Sequence, residues 1–481
     1  MSTPYHELLV ALRPELCLTA GALAVLAVDL PKSARRPQLR LQISAALGVL
    51  ALITAGVWGL GAGQPGSLFG GVFSLDLLGQ ATRAGVLGLA LLALGVTAGT
   101  SRLRHPAELI AMILFATAGF TLMAVAQQLL LAFLALELAS LSLYVLAGFD
   151  KTRPESAEAA LKYFLFGGVS AAFLLFGFSL LYGLTGSIEL PEISVQLAMS
   201  GPSPLLVVAL AMVLVAFGFK AAAAPFHLWA PDVYEGAPAP SAALIASASK
   251  LAGLALFVRL LWPGLGAASG NLTGAAGWMP VVALISAASM LLGNFAALAQ
   301  GNVRRLLAYS AIAHAGALLL GVIAAGRFGP GPLFYYAATY GLATVGAFGV
   351  IAVVERAGSC QGLADLAGLR ARSPLLTACL LVFVLSLAGI PPLAGFVGKF
   401  VVFTAALQTG GPAGWLALLA ILLSAVALYY YLMILKQALV APAKEPATIP
   451  VPAPAALALL AAAALIVALG IWPSLLLGLF P

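Results

Sequence analysis

Leu205-Leu-Val-Val-Ala-Leu-Ala-Met-Val-Leu-Val-Ala-Phe-Gly-Phe-Lys220, continued by Ala-Ala-Ala-Ala-Pro225-Phe-His227, decides the fold. The run up to Phe219 has no charge and no alternation of polar with apolar residues, and Leu109 to Ala126 reads the same way. A membrane β-barrel would instead show segments of about 10 residues with alternating polarity. Helices are therefore the elements, since a chain in hydrocarbon must satisfy its backbone donors and acceptors internally. Composition agrees: 62% of the residues are hydrophobic and 8% charged, with a mean hydropathy of +1.09, against roughly 25% charged in soluble proteins. The bilayer is the solvent for this chain.

A spanning helix needs about 20 largely apolar residues, and cutting at polar, Gly and Pro clusters predicts about 14 spans. They fall near 14–30, 41–61, 77–98, 107–126, 129–148, 157–183, 204–224, 239–261, 278–299, 305–325, 331–354, 374–405, 413–436 and 454–478. The cut at Gln127-Gln128 leaves almost no loop. The longest polar connections, Gly186 to Ser203 and Glu355 to Ser373, are too short to fold alone. The fold class expected is an all-α polytopic membrane protein. Arg13 lies before the first span between Glu7 and Glu15, with no small-residue cleavage site after it, so that span reads as an uncleaved helix.

Basic residues collect on the cytoplasmic side of membrane proteins. Alternating the loops puts fifteen Lys and Arg on one side and only Arg13, Arg83, Arg259 and Arg327 on the other, which predicts both termini outside. The net charge of +7 is thus topological, and its dispersal over short loops gives no nucleic-acid surface. Cys17, Cys360 and Cys379 are far apart and offer neither a metal cluster nor iron–sulfur ligands. No Gly-rich motif opens a nucleotide-binding unit. No cofactor is expected in this chain.

Four lysines, Lys162, Lys220, Lys250 and Lys399, fall inside predicted spans, and Glu137 lies mid-helix in Leu134-Ala-Leu-Glu-Leu-Ala-Ser-Leu-Ser-Leu-Tyr144. A lysine at a helix centre costs about 2.5–3.5 kcal/mol, so these side chains must face protein or water. Lys220 precedes Pro225, and Lys399 follows Ala388-Gly-Ile-Pro-Pro-Leu-Ala-Gly-Phe-Val-Gly398. Proline removes a backbone donor and breaks each helix beside its lysine. Broken helices at membrane depth line hydrated cavities. The two breaks, in spans 7 and 12, are five spans apart, and an odd offset reverses direction across the membrane. That predicts an inverted repeat of spans 4–8 (residues 107–262) and 9–13 (residues 263–440), with 1–106 and 441–481 outside it. Glu137 then corresponds to the helix of His314.

A buried lysine loses affinity for its proton, so Glu137, Lys162, Lys220, Lys250, His314 and Lys399 form a candidate proton path. Blander readings stand beside it. Lys162 is near its helix start and can snorkel to the interface; Glu137 and Lys220 can be a static ion pair; His314 can be a core histidine. His227, Asp232 and Glu235 read as a structural loop.

The run Ala224-Pro-Phe-His-Leu-Trp-Ala-Pro-Asp-Val-Tyr-Glu-Gly-Ala-Pro238, with Leu161-Lys-Tyr-Phe164, Tyr309-Ser-Ala-Ile-Ala-His314 and the segment Gly389 to Lys399, resembles the antiporter-like, proton-pumping membrane subunits of NADH-quinone oxidoreductase, respiratory complex I, and subunit N most closely. The resemblance covers essentially the whole chain. It implies 14 helices with helices 7 and 12 broken, a helix 5 glutamate (Glu137) paired with a helix 7 lysine (Lys220), a connecting lysine (Lys250) and a terminal lysine (Lys399). It further implies a translocase subunit without redox centres in a bacterial inner membrane. NADH, FMN, iron–sulfur clusters and quinone would sit on other subunits, and subunit M and small membrane subunits such as K would be partners. The alternatives are an Mrp-type cation/proton antiporter subunit and a self-contained secondary transporter.

Overall fold

Each apolar run becomes a helix, and in the computed structural model, which describes residues 4–29, 37–60, 66–100, 105–358, 360–443 and 447–480, helices follow one another with little between them. They are α1 (Pro4–Ala11), α2 (Arg13–Asp29), α3 (Pro37–Leu60), α4 (Leu77–Thr100), α5 (Pro106–Val125), α6 (Leu129–Ala147) and α7 (Pro154–Thr185), then α8 (Leu190–Ser200), α9 (Pro204–Ala221), α10 (Trp229–Gly236), α11 (Ala239–Ala246), α12 (Ala248–Arg259) and α13 (Trp278–Leu298). The chain ends with α14 (Val303–Phe328), α15 (Gly331–Ala357), α16 (Leu369–Arg372), α17 (Pro374–Ala388), α18 (Ala394–Thr409), α19 (Gly411–Leu439), α20 (Ala453–Ile471) and α21 (Ser474–Leu477). One small hairpin, Gly66–Leu68 with Phe73–Leu75, precedes α4. Among the described residues, 12 helical stretches are long and apolar enough to cross a membrane, and 13 if α1 and α2, bent by 69°, form one span. α17 and α18 are apolar but shorter.

The distribution of side chains is that of a membrane protein. α14, α15 and the α11–α12 stretch are buried along nearly their whole length. α7 and α13 instead turn large apolar residues outward, among them Phe164, Phe176, Leu284 and Phe295. Polar groups lie inside, where lipid would penalise them.

The tight link after α5 is real, and its backbone is satisfied by remote chain. Leu129 N–H donates to Ile188 O (2.8 Å) and Leu190 N–H to Gln127 O (3.1 Å). The same stitch recurs after α13, where Val303 N–H donates to Gln361 O (3.0 Å) and Leu363 N–H to Gly301 O (3.0 Å).

Three discontinuities shape the interior. α9 stops at Ala221, and Ala222 takes a left-handed conformation with φ of 57°. The freed groups are re-satisfied: Trp229 Nε1–H donates to Phe219 O (3.1 Å) and Ala224 N–H to Ser289 Oγ (2.8 Å). α17 stops at Gly389, also left-handed with φ of 87°. Proline and glycine announce both breaks in the sequence. The third is new. The span expected over 239–261 is interrupted at Ser247, whose hydroxyl donates back to Ala243 O (2.6 Å); serine competing for the helix's own carbonyl bends helices in this way.

Basic residues sort to two ends. Arg304 pairs with Glu355, and Arg356 donates to Gly99 O at the end of α4. Arg259 pairs with Asp76 at the opposite end, beside Ala124 O. Lys32, Arg35, Arg36, Arg102, Arg104 and Lys444, counted above for sidedness, lie outside the described residues.

Candidate functional site

Each buried lysine stands at one of the helix discontinuities. Lys220 is in the last turn of α9, Lys250 follows the Ser247 break, and Lys399 reaches back to donate to Ala388 O (2.9 Å), the last carbonyl of α17. They are 5%, 3% and 8% exposed, so no route to an interface remains open to them. Broken helix ends supply carbonyl dipoles that help hold an ammonium in a place where an intact helix would offer none.

The side chains form a sequence of contacts rather than isolated charges. On α6, Glu137 is half-buried, one carboxylate oxygen is buried without a hydrogen-bond partner, and Leu134, Leu138 and Leu141 around it are exposed. Lys220 Nζ approaches Ser140 Oγ (3.4 Å), one turn further along α6. Glu137 and Lys220 make no salt bridge among the described residues. Lys220 and Lys250 then share a small cavity with Phe217, Gly253 and Phe257. A methyl at Gly253 would sit 3.1 Å from Lys220 Cγ, so the missing side chain leaves the lysine room.

Lys250 Nζ donates to Ala311 O (2.6 Å) on α14 and lies 5.4 Å from the centre of the Tyr340 ring. His314 follows Ala311 by one turn. Its Nδ1 is 2.7 Å from Tyr336 Oη and its Nε2 3.0 Å from Tyr431 Oη, which also contacts Ser310. Both ring nitrogens thus meet a hydroxyl, and an imidazole so placed can take a proton on one nitrogen and release it from the other. Beyond His314 a cavity of about 20 Å³ is lined by Asn294, His314, Tyr336, Lys399, Ser424 and Tyr430. That exceeds the roughly 10–15 Å³ a water requires, and the lining offers it polar partners.

Lys162 is elsewhere. Its ammonium binds Asp232 and Glu158 (2.7 Å), and Asp232 also accepts from Arg305 (2.7 Å), which bonds Glu235 (2.8 Å). The Lys162 side chain is 36% exposed, and this network closes the end of the molecule where α7, α10 and α14 meet. Burial works to raise the Asp232 carboxyl, but Lys162 and Arg305 outweigh it and hold it below its ordinary value. Arg304 falls between the expected spans 278–299 and 305–325, yet its side chain is 2% exposed and donates to Glu235 O (2.7 Å), Ala237 O (2.8 Å) and Glu355.

Sequence reasoning missed the hydroxyls. Tyr336, Tyr340, Tyr430 and Tyr431 are buried, and their signal was position: membrane tyrosines gather at the interfaces, whereas Tyr336 and Tyr340 lie near the start of a wholly buried helix, four residues apart on one face.

A polytopic helical membrane protein with a buried row of ionisable groups is the class that fold and site define. The profile of the family described as "NADH:quinone oxidoreductase/Mrp antiporter, TM" matches residues 126–424, more than half of the chain. NADH-quinone oxidoreductase subunit N 2 of Acidobacterium capsulatum is 50% identical over 465 residues, covering 92% of each chain, and subunit N 2 of Herpetosiphon aurantiacus is 41% identical over 438 residues, 86% of this chain and 81% of that one. Among solved structures, a chain of respiratory complex I from Thermus thermophilus with bound aureothin superposes with a TM-score of 0.78 at 35% identity, covering 97% of this chain and 98% of that one. A chain of the Mrp complex from Dietzia superposes with 0.79 at 23% identity over 98% and 96%, a likeness of fold. The chain belongs to the NADH-quinone oxidoreductase subunit N family.

Proposed function

We propose that the row Glu137, Lys220, Lys250, His314 and Lys399 carries protons, and that this chain is the non-redox, proton-translocating membrane subunit of NADH-quinone oxidoreductase. The observation that carries the reading is proximity: Lys220 and Lys250 share a cavity, Lys250 bonds Ala311 O one turn before His314, and His314 and Lys399 line a second cavity. In this scheme the charge of Glu137 favours protonated Lys220. When that influence weakens, the proton passes to Lys250, through the His314 imidazole and its tyrosines, and over the water-sized cavity to Lys399. The electron carriers, NADH, FMN, iron–sulfur clusters and quinone, belong to other subunits. Membrane subunits of the M and K kinds are the expected neighbours.

The paired stitches at 127–129 with 188–190 and 301–303 with 361–363, at opposite ends of the molecule, support an inverted repeat. Each half would then provide one half-channel. Counting α17 and α18 as one broken span, and α1 with α2 as another, brings the total to the fourteen read from the sequence. With the larger basic set facing the cytoplasm, both termini lie outside a bacterial inner membrane.

The test is pumping by the assembled enzyme in vesicles. Lys220→Ala is expected to abolish or sharply reduce it, whereas Lys162→Met, outside the row, keeps most of it. Wild-type pumping by both Lys220→Ala and Lys250→Ala would refute the path. Sodium flux through the purified complex would instead favour the antiporter-subunit reading, and solute uptake by the lone chain a self-contained transporter.

A further inference from the structure

A groove of about 1060 Å³ runs between α3, α4 and α20, beyond the roughly 300–1,000 Å³ of ordinary small-molecule sites. None of the proton-row residues lines it. Its body is apolar, formed by residues such as Val49, Leu91, Leu94, Ala98, Leu457 and Ala461, and its polar end carries Arg40 and Arg356. That end is where α3 and α20 begin and α4 and α15 finish, so the guanidinium groups sit at one membrane face and the apolar walls run towards the middle. Arg40 is engaged by Asp29, and the Glu108 carboxylate also acts on it. Arg356 donates one Nη1–H to Gly99 O and has no carboxylate within ion-pair distance among the described residues. A cation with no carboxylate partner among the described residues thus stands at the mouth of an apolar slot that runs along about ten residues of each helix, roughly 14 Å, or about one leaflet.

We infer that this groove is a binding site for a membrane phospholipid, its phosphate on Arg356 and Arg40 and its acyl chains between α3, α4 and α20. Basic pockets between helices at the cytoplasmic face bind anionic headgroups, and arginine grips phosphate through two parallel hydrogen bonds. A soluble phosphate would use the arginines and leave the apolar length of the groove unfilled. The slot also separates α3 from α20, so an occupant would fasten the first three helices to the rest of the molecule.

Native mass spectrometry of the detergent-purified complex tests this, with Arg356→Ala, Arg356→Lys and Ala46→Trp, which fills the exposed wall of the groove. Wild type is expected to retain one phospholipid more per complex than Arg356→Ala or Ala46→Trp, with Arg356→Lys between them. Reloading with phosphatidylglycerol or phosphatidylethanolamine restores that lipid, whereas diacylglycerol, lacking phosphate, does not. Equal lipid counts in wild type and both variants overturn the proposal, as does diacylglycerol binding equally well. A photoreactive label on Ala46→Cys that crosslinks a neighbouring subunit rather than lipid also overturns it. Should Ala46→Trp fail to assemble, the two Arg356 variants carry the comparison alone.

Discussion

Lys250→Ala lowers proton pumping by the assembled enzyme about a hundredfold, the lower end of what a positioned proton-transfer group contributes. Lys250 shares a cavity with Lys220 on one side and bonds Ala311 O on the helix of His314 on the other. Alanine removes the relay, and the apolar residues around it, Phe217, Leu254 and Phe257, offer no substitute. Lys250→Arg separates charge from transfer. Guanidinium keeps the charge but does not release its proton in proteins, so a variant that assembles and still fails to pump assigns the loss to proton transfer. Proton uptake by inside-out vesicles, measured alongside quinone reduction, gives the ratio. A wild-type ratio for Lys250→Ala would remove Lys250 from the path.

Arg304→Ala destabilises the fold by about 2–3 kcal/mol, less than the roughly 3–5 kcal/mol for breaking a fully buried ion pair, because the Glu355 side chain is 25% exposed. The guanidinium holds Glu355 from α15 and two carbonyls, Glu235 O and Ala237 O, at the end of α10. Its loss leaves the partly buried Glu355 carboxylate without this cation and removes the donor from two carbonyls. Arg304→Lys recovers only part, because an ammonium cannot reach three acceptors in the planar geometry the guanidinium spans. Thermal unfolding of the purified complex, read together with retention of this subunit, checks the ordering wild type, Arg304→Lys, Arg304→Ala. Stability unchanged in Arg304→Ala would show that Glu355 finds another partner.

These two residues also mark what could and could not be read along the chain. Lys250 declared itself because a lysine in Ala-Ser-Ala-Ser-Lys-Leu-Ala-Gly has no interface within reach. Arg304 looked like one of several loop bases beside a helix start, and nothing local distinguishes it from Arg305, which is partly exposed. Glu15 is a similar case: it sits near Arg13 in sequence but bonds the buried Arg83 (2.9 Å) on α4.

The solvent, the helices and the two proline-marked breaks were legible along the chain, because these depend on local quantities: the cost of an exposed backbone group in lipid, the length of an apolar run, the missing donor of proline. The sequence also determined which charges had to be sheltered. Tertiary structure alone decided who meets whom. Lys220 meets Ser140 across 80 residues, Lys250 bonds a carbonyl 61 residues away, and Tyr431 reaches His314 across 117. Hydrogen bonds need partners within about 3 Å, and only the packing of helices distant in the chain brings such partners into place.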